Sequence, residues 1–248
     1  MSETKNSVVD LRGVAVYHSI TPYTELTHKN YLLEGERALE GIDLTISEGE
    51  LVYLIGRVGS GKSSLLKALY GEISIFEGEA TVAGIDLHTL KRKQLPELRR
   101  KLGIVFQDLQ VLSDCNVFEN LAFVLRATDW DNKEDIDCRI DEVLQQVELT
   151  NCKYKMPFEM SGGECQRLMI ARALLNSPKI IIADEPTGNL DPVTAESIML
   201  LFHKIAQSGT AVIISTHNTT LVENFPARTL RFSKKSVQEI DLTAIECD

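Results

Sequence analysis

No apolar run in this chain is long enough to cross a bilayer. A spanning helix needs ~20 consecutive apolar residues, whereas runs such as Leu51-Val52-Tyr53-Leu54-Ile55 stop far short of that. Any membrane role is therefore expected to come through a partner chain. The opening residues, Met1-Ser2-Glu3-Thr4-Lys5-Asn6, carry no apolar core of the kind a secretory leader has, so export is not expected. Basic charge is in deficit. A net charge of −10 argues against a general nucleic-acid binder, which needs a cationic surface to release counterions from the phosphates. Cysteine is sparse: Cys115, Cys138, Cys152, Cys165 and Cys247 are odd in number and widely spaced, with no C-x-x-C pair. That pattern fits reduced thiols in a cytosolic protein better than disulfides or a metal site. Internal repeats and low-complexity tracts are missing too. What remains is ordinary globular composition, 44% hydrophobic and 25% charged, over 248 residues. This is enough for one large domain or two small ones with a sizeable core.

The most informative stretch is Gly56-Arg57-Val58-Gly59-Ser60-Gly61-Lys62-Ser63, which matches the phosphate-loop pattern G-x-x-x-x-G-K-[ST] at every fixed position. The apolar strand-like run Leu51–Ile55 precedes it. Ser64-Leu65-Leu66-Lys67-Ala68-Leu69-Tyr70, rich in helix formers and closed by Gly71, follows. Glycines at these positions let backbone N–H groups turn inward around a polyphosphate, and the new helix adds its positive end. Lys62 can reach the β- and γ-phosphates, and the Ser63 hydroxyl can ligate Mg²⁺. A nucleotide polyphosphate and Mg²⁺ are the expected ligands, with Gly56 through Ser64 contacting the nucleotide.

Around this loop the sequence alternates between strand and helix signals. Val8 to Tyr17 and Ala38 to Ile46 read as strands, separated by a polar, irregular insertion from Ser19 to Arg37. Gly78 to Leu87 reads as a hairpin and Leu102 to Phe106 as a short strand. From Asp108 to about Gln166 the apolar residues recur at helical spacing: Val117, Leu121, Val124 and Leu125, then Ile136, Ile140, Val143, Leu144 and Val147. Ile180-Ile181-Ile182-Ala183 and Ala211-Val212-Ile213-Ile214-Ser215 are continuous apolar runs that suit a sheet buried on both faces. Asp191 and Pro192 read as an N-cap and first-turn pair, and Gly209 ends the helix they start. Arg228 to Phe232 and Val237 to Leu242 complete the chain as weaker strands.

Hydrolysis needs more than a phosphate loop. Asp184 and Glu185 end an apolar strand, where Asp184 can hold Mg²⁺ and Glu185 can polarise or deprotonate the attacking water. Ser161-Gly162-Gly163-Glu164, just before helix-forming residues, forms a second anion-binding helix N-terminus. One chain has no use for two such sites on one triphosphate, but two chains head to tail do.

With these motifs in this order, the chain resembles the ATP-binding-cassette ATPases over nearly its whole length. Gly56 to Ser63 matches the Walker A loop, Gln107 the Q-loop, and Ser161 to Glu164 the signature. Asp184-Glu185 closes Walker B, Gly188-Asn189-Leu190-Asp191 is the D-loop, and His217 is the H-loop. The resemblance implies an α/β P-loop NTPase fold: a RecA-like core with an antiparallel β subdomain (1–107 and 166–248) and an inserted helical subdomain (108–165). It also implies catalytic roles for Glu185, His217, Gln107 and Lys62, and metal binding at Ser63, Gln107 and Asp184. In that family Ser161, Gly162, Gly163 and Glu164 bind ATP held by the other copy of a homodimer, and Asp191 links the two copies. An aromatic near the first strand stacks on adenine; Tyr17 is the candidate, with Tyr23 and Tyr31 as alternatives. Cys165 departs from the glutamine usual in the signature; an inert cysteine is expected there, the alternative being a thiol whose pKa the helix N-terminus lowers. The Gly188-Asn189 form resembles a subgroup that serves cell division, lipoprotein release or macrolide export, the cell-division type most of all. Such an ATPase is expected on the cytoplasmic face of the inner membrane, held by a permease-like integral membrane partner. Leu109, Val111, Leu112, Val117 and Phe118 are candidates for the contact with that partner. The competing class is a soluble cassette ATPase of the iron–sulfur cluster assembly type.

Overall fold

The computed structural model describes residues 6–17 and 37–241. The strands are β1 (Ser7–Tyr17), β2 (Arg37–Ser47), β3 (Leu51–Gly56), β4 (Glu77–Val82), β5 (Ile85–Asp86), β6 (Leu102–Val105), β7 (Ile180–Asp184), β8 (Ala211–Ser215), β9 (Arg228–Ser233) and β10 (Ser236–Ile240). The helices are α1 (Lys62–Leu69), α2 (Leu95–Arg100), α3 (Val117–Ala127), α4 (Lys133–Gln146), α5 (Gly162–Leu174), α6 (Pro192–Gln207) and α7 (Thr219–Asn224). Apart from Arg37, the polar insertion lies outside the described residues, and so do Tyr23, Tyr31 and Cys247.

Two sheets result. One is antiparallel, in the order β2-β1-β4-β5; the other runs β10-β9-β3-β8-β7-β6, with β9, β3, β8, β7 and β6 mutually parallel. The continuous apolar strands explain the second sheet's position between two cores. Successive side chains of a strand point to opposite faces. Tyr53, Ile55, Ile181, Ala183, Val212 and Ile214 join the core formed with α3, α4, α5 and α6. Their neighbours Val52, Leu54, Ile180, Ile182, Ala211 and Ile213 join the core formed with α1 and the antiparallel sheet. Each buried Val, Leu or Ile among them stabilises the fold by ~1.5–3 kcal/mol relative to leaving it exposed.

The helices between β6 and β7 hold together by their own chemistry. Asn116 caps α3 in a reciprocal box with Glu119, and Asn132 caps α4. Val117, Leu121 and Leu125 of α3 meet Ile136, Ile140 and Val143 of α4 in one core. Buried Asn120 ties down the preceding loop: its amide donates to the carbonyls of Leu112, Cys115 and Asn116 and accepts from the Leu112 N–H at 2.8 Å. α5 lies directly on β6, because a Cβ at Gly103 would come within 2.6 Å of the Ala173 carbonyl.

Two helices carry no reading in the sequence. α2 is short, with a proline in its first turn, and α7 has six residues. Neither is long enough to show a helical apolar period.

Candidate functional site

The strand register brings the motifs to one edge. Leu54 and Asp184 both pair with Ser215, so the C-terminal ends of β3, β7 and β8 lie level. The phosphate loop leaves β3 at Gly56, Glu185 follows β7, and His217 follows β8. Ligands of open α/β sheets bind outside such strand ends.

The loop itself is built by its glycines. Gly56, Gly59 and Gly61 all have positive φ. A side chain at Gly56 would sit 2.6 Å from the Phe232 carbonyl, and one at Gly61 would sit 2.8 Å from Leu39. Lys62 is buried, and its ammonium donates to the carbonyls of Gly56 at 2.8 Å and Arg57 at 3.3 Å, so it folds back inside the loop it closes. Arg57, Val58 and Gly59 are exposed, Ser63 is exposed on the first turn of α1, and Ser64 is half-buried. Ser60 Oγ is buried with no hydrogen-bond partner. A cavity of about 760 Å³ opens over Gly56 to Ser60, closed on its other side by His217, Arg231, Phe232 and Lys234. The contribution from the end of β9 was not readable in the sequence, since it depends on β9 pairing with β3 through Gly56 and Phe232.

Asp184 accepts a hydrogen bond from the Ser215 hydroxyl, which fixes its carboxylate at the strand end. Glu185 stands in the left-handed region at φ 47, unusual for a residue with a side chain. Its N–H donates to the Ser215 carbonyl at 3.1 Å. The turn directs its carboxylate at His217, whose Nδ1 lies 2.9 Å from Oε2. The Glu185 side chain is 14% exposed and that of His217 67%. Gln107 is exposed just beyond β6.

The signature forms the N-terminus of α5. Ser161 accepts from the Glu164 N–H at 3.2 Å while Glu164 accepts from the Ser161 N–H at 2.8 Å. The other oxygen of Glu164 accepts from Lys155 and from the Cys152 thiol, both at 3.2 Å. These bonds, led by the Ser161 N–H, hold the Glu164 carboxyl down to about 2. Glu164 is thus engaged within its own chain, whereas Ser161 and Gly162 face solvent. A Cβ at Gly163 would meet Thr194 at 2.5 Å, so the signature packs against the start of α6. Asp191 caps α6 through the Thr194 N–H at 3.0 Å.

One expectation needs correction, and one alternative is decided. Tyr17 offers no ring face to a base: it is 2% exposed, its hydroxyl bonds Glu77, and the Arg37 guanidinium covers the ring at 5.8 Å. Cys165 is buried, and desolvation pushes its thiol pKa up, opposing the lowering a helix N-terminus would produce.

The loop residues fit a polyphosphate: an orphaned hydroxyl, a buried cation and a backbone with no room for side chains. Ser63, Gln107 and Asp184 offer hard oxygen ligands, the kind Mg²⁺ takes together with phosphate oxygens. Among the described residues no group of three or more His, Cys, Asp or Glu is placed to hold a metal ion.

This fold and site define a P-loop nucleoside triphosphatase of the cassette type. The ABC transporter family model matches residues 39–188, and the chain belongs to that family as an ATP-hydrolysing cassette. Within it the chain is similar to the cell division ATP-binding protein FtsE. The Streptococcus pneumoniae protein is 42% identical over 196 residues, 79% of this chain and 85% of that one. The Escherichia coli K12 protein is 38% identical over 201 residues, 81% and 90% of the two chains. Among solved structures, a dimeric post-hydrolysis state of the ATP-binding cassette MJ0796 bound to ADP and Pi superposes with a TM-score of 0.77 at 32% identity, over 94% of this chain and 98% of that one. The protein cbiO1 of Clostridium perfringens, part of the ABC transporter complex cbiONQ, superposes at 0.81 with 26% identity, over 94% and 88%.

Proposed function

We propose that two copies of this chain close head to tail around ATP and Mg²⁺, hydrolyse the nucleotide, and pass the motion to an integral membrane partner in cell division. The observation that carries this reading is the division of the site. Gly56 to Ser64, Asp184, Glu185 and His217 converge at one edge, while Ser161 and Gly162 are exposed at the N-terminus of α5, with Ser161 bonded within its own cap to Glu164. Lys62 and the loop amides hold the phosphates. Ser63, Asp184 and Gln107 hold Mg²⁺, which when bound neutralises charge on the β- and γ-phosphates. Glu185 orients and deprotonates the attacking water, and His217 holds Glu185 before the nucleotide enters and the γ-phosphate after. Ser161, Gly162 and Gly163 of the second copy supply a helix N-terminus to the same phosphate, with Glu164 keeping that terminus in shape. Asp191 fixes the start of α6 beside the dimer contact. In domain terms, 1–107 and 166–248 form the nucleotide-binding core with the β subdomain, and 108–165 form the helical subdomain.

The partner is a permease-like membrane protein, FtsX-like by analogy with the FtsE relatives, which would place the chain on the cytoplasmic face of the inner membrane. Its contact is a groove of about 420 Å³ between the helices and the core, lined by Phe106, Phe123, Val124, Ala127 and Ile104. Of the residues expected to form it, Val117 is fully buried in the helical core and Phe118 packs against that core. Leu109, 43% exposed, remains at the surface. Phe123, 60% exposed, replaces them as the main apolar contact.

The test is Glu185→Gln. This variant should bind ATP, turn over slowly, and elute as a dimer by size-exclusion chromatography in ATP and Mg²⁺. A strictly monomeric Glu185→Gln protein under those conditions refutes the two-copy mechanism. Co-purification with lipoprotein-release or macrolide-export permeases, in place of a division partner, would reassign the biological role and leave the ATPase intact.

A further inference from the structure

Tyr53 lies on β3, three residues before the phosphate loop begins, and its side chain is fully buried. A buried phenol needs a partner for its hydroxyl. This one donates to the Phe225 carbonyl at 2.8 Å and lies 3.2 Å from His203 Nε2. With its single proton given to Phe225, the hydroxyl accepts from an Nε2–H of His203. The His203 ring also packs on Phe225, their centroids 5.9 Å apart. Burial raises the phenol's pKa and lowers the imidazole's, so both groups are neutral near pH 7.

The three residues belong to three elements, each running into a different part of the site. β3 runs into the phosphate loop. α6, which carries His203, starts from Asp191. α7 starts two residues after His217 and ends at Phe225. With six residues, α7 is only about 9 Å long and cannot be stable alone. Asn218 caps its first turn by accepting from Leu221 N–H at 3.2 Å, but its last turn carries no basic residue. The Phe225 carbonyl, at the C-cap, is held by Tyr53.

We propose that Tyr53 and His203 are positioning residues for ATP hydrolysis: their junction at Phe225 seats α7 and α6 on the strand that carries the phosphate loop, and so sets where His217 stands relative to Gly56. This inference rests on the proposed role of His217. Loss of the junction leaves Gly56 to Ser63 unchanged, so nucleotide still binds, but the His217 arm loses its far anchor. Misplacing a catalytic group by a fraction of an ångström to 1 Å costs roughly tenfold to a hundredfold in rate.

The experiment compares kcat and KM for ATP in the full chain and in Tyr53→Phe, His203→Ala, His203→Gln, the Tyr53→Phe/His203→Ala double variant, and His217→Ala as reference. Rates are normalised to the folded fraction read by thermal melting. Tyr53→Phe removes one oxygen and keeps the ring packing. We expect kcat to fall about tenfold in Tyr53→Phe and His203→Ala with KM within about twofold of the parent. The double variant should be no worse than the worse single, and His203→Gln, which restores an N–H at the same reach, should recover most of the rate. The inference is overturned if both single variants keep kcat within twofold, if their effects multiply, or if His203→Gln is no better than His203→Ala. An inactive His217→Ala beside a fully active Tyr53→Phe removes the junction's role alone. A fully active His217→Ala removes the role of His217, and this inference with it.

Discussion

Gly59 and Gly61 have the same residue type in the same loop and different reasons for it. A Cβ at Gly59 meets nothing, so its demand is the left-handed backbone alone, at φ 79. Gly61, at φ 101, also faces Leu39 at 2.8 Å and the Ala38 carbonyl at 3.2 Å. Gly59→Ala should therefore cost ~1–2 kcal/mol of stability, and Gly61→Ala measurably more, because a clash adds to the strain. Denaturant midpoints of the two variants, with and without ATP, check the order; equal midpoints would show that Leu39 yields freely. The same scale explains what could be read of the site and what could not. Lys62, Asp184 and Glu185 were legible because their spacing is imposed by local chain geometry. The left-handed Glu185 and its contact with His217 were not, since they depend on β7 lying beside β8. Tyr17 failed as a base-stacking residue for a similar reason: its neighbours Arg37 and Glu77 come from two other strands.

At the scale of an element, the N-terminus of α5 makes the clearest prediction. Ser161 and Glu164 cap each other, and the bonds to Glu164 lower its carboxyl from 4.5 to about 2. A depressed carboxyl stabilises the fold above its unfolded value and loses that contribution as the pH falls toward its folded value. The parent should hence lose its advantage over Glu164→Gln between about pH 4.5 and 2. Melting curves of both proteins from pH 6 down to 2.5 measure this. A constant difference across that range would mean that the charge contributes nothing. Other elements were legible by their period, α3 and α4 above all. α2 and α7 escaped because one or two turns give no period to read. Arg172 adds a link that no pattern announces: it reaches from α5 to the Gln110 carbonyl at 2.6 Å, joining the signature helix to the segment after Gln107.

At the scale of the molecule, the groove beside Phe106 and Phe123 is the contact proposed for a partner chain. Phe123 is 60% exposed, so Phe123→Asp should leave the melting temperature nearly unchanged. It should abolish co-purification with the membrane partner. Retention of the partner by that variant would move the contact elsewhere. The groove was not visible in the sequence, where Val117 and Phe118 looked equally suitable. Residues four apart on a helix share a face, but which face meets a neighbour is decided by the packing of α3 on α4 and α5.

The sequence by itself determined the reaction class, because phosphate binding, metal binding and the signature are each carried by a few residues adjacent in the chain. It also determined the two-sided core, since continuous apolar strands have to be covered on both faces. Only the tertiary structure decided which side chains meet: Glu185 with His217, Tyr53 with His203 and Phe225, Arg37 over Tyr17, β9 over the phosphate loop. Each of these pairs joins separate elements whose approach is set by strand order and helix packing, and no local pattern encodes either.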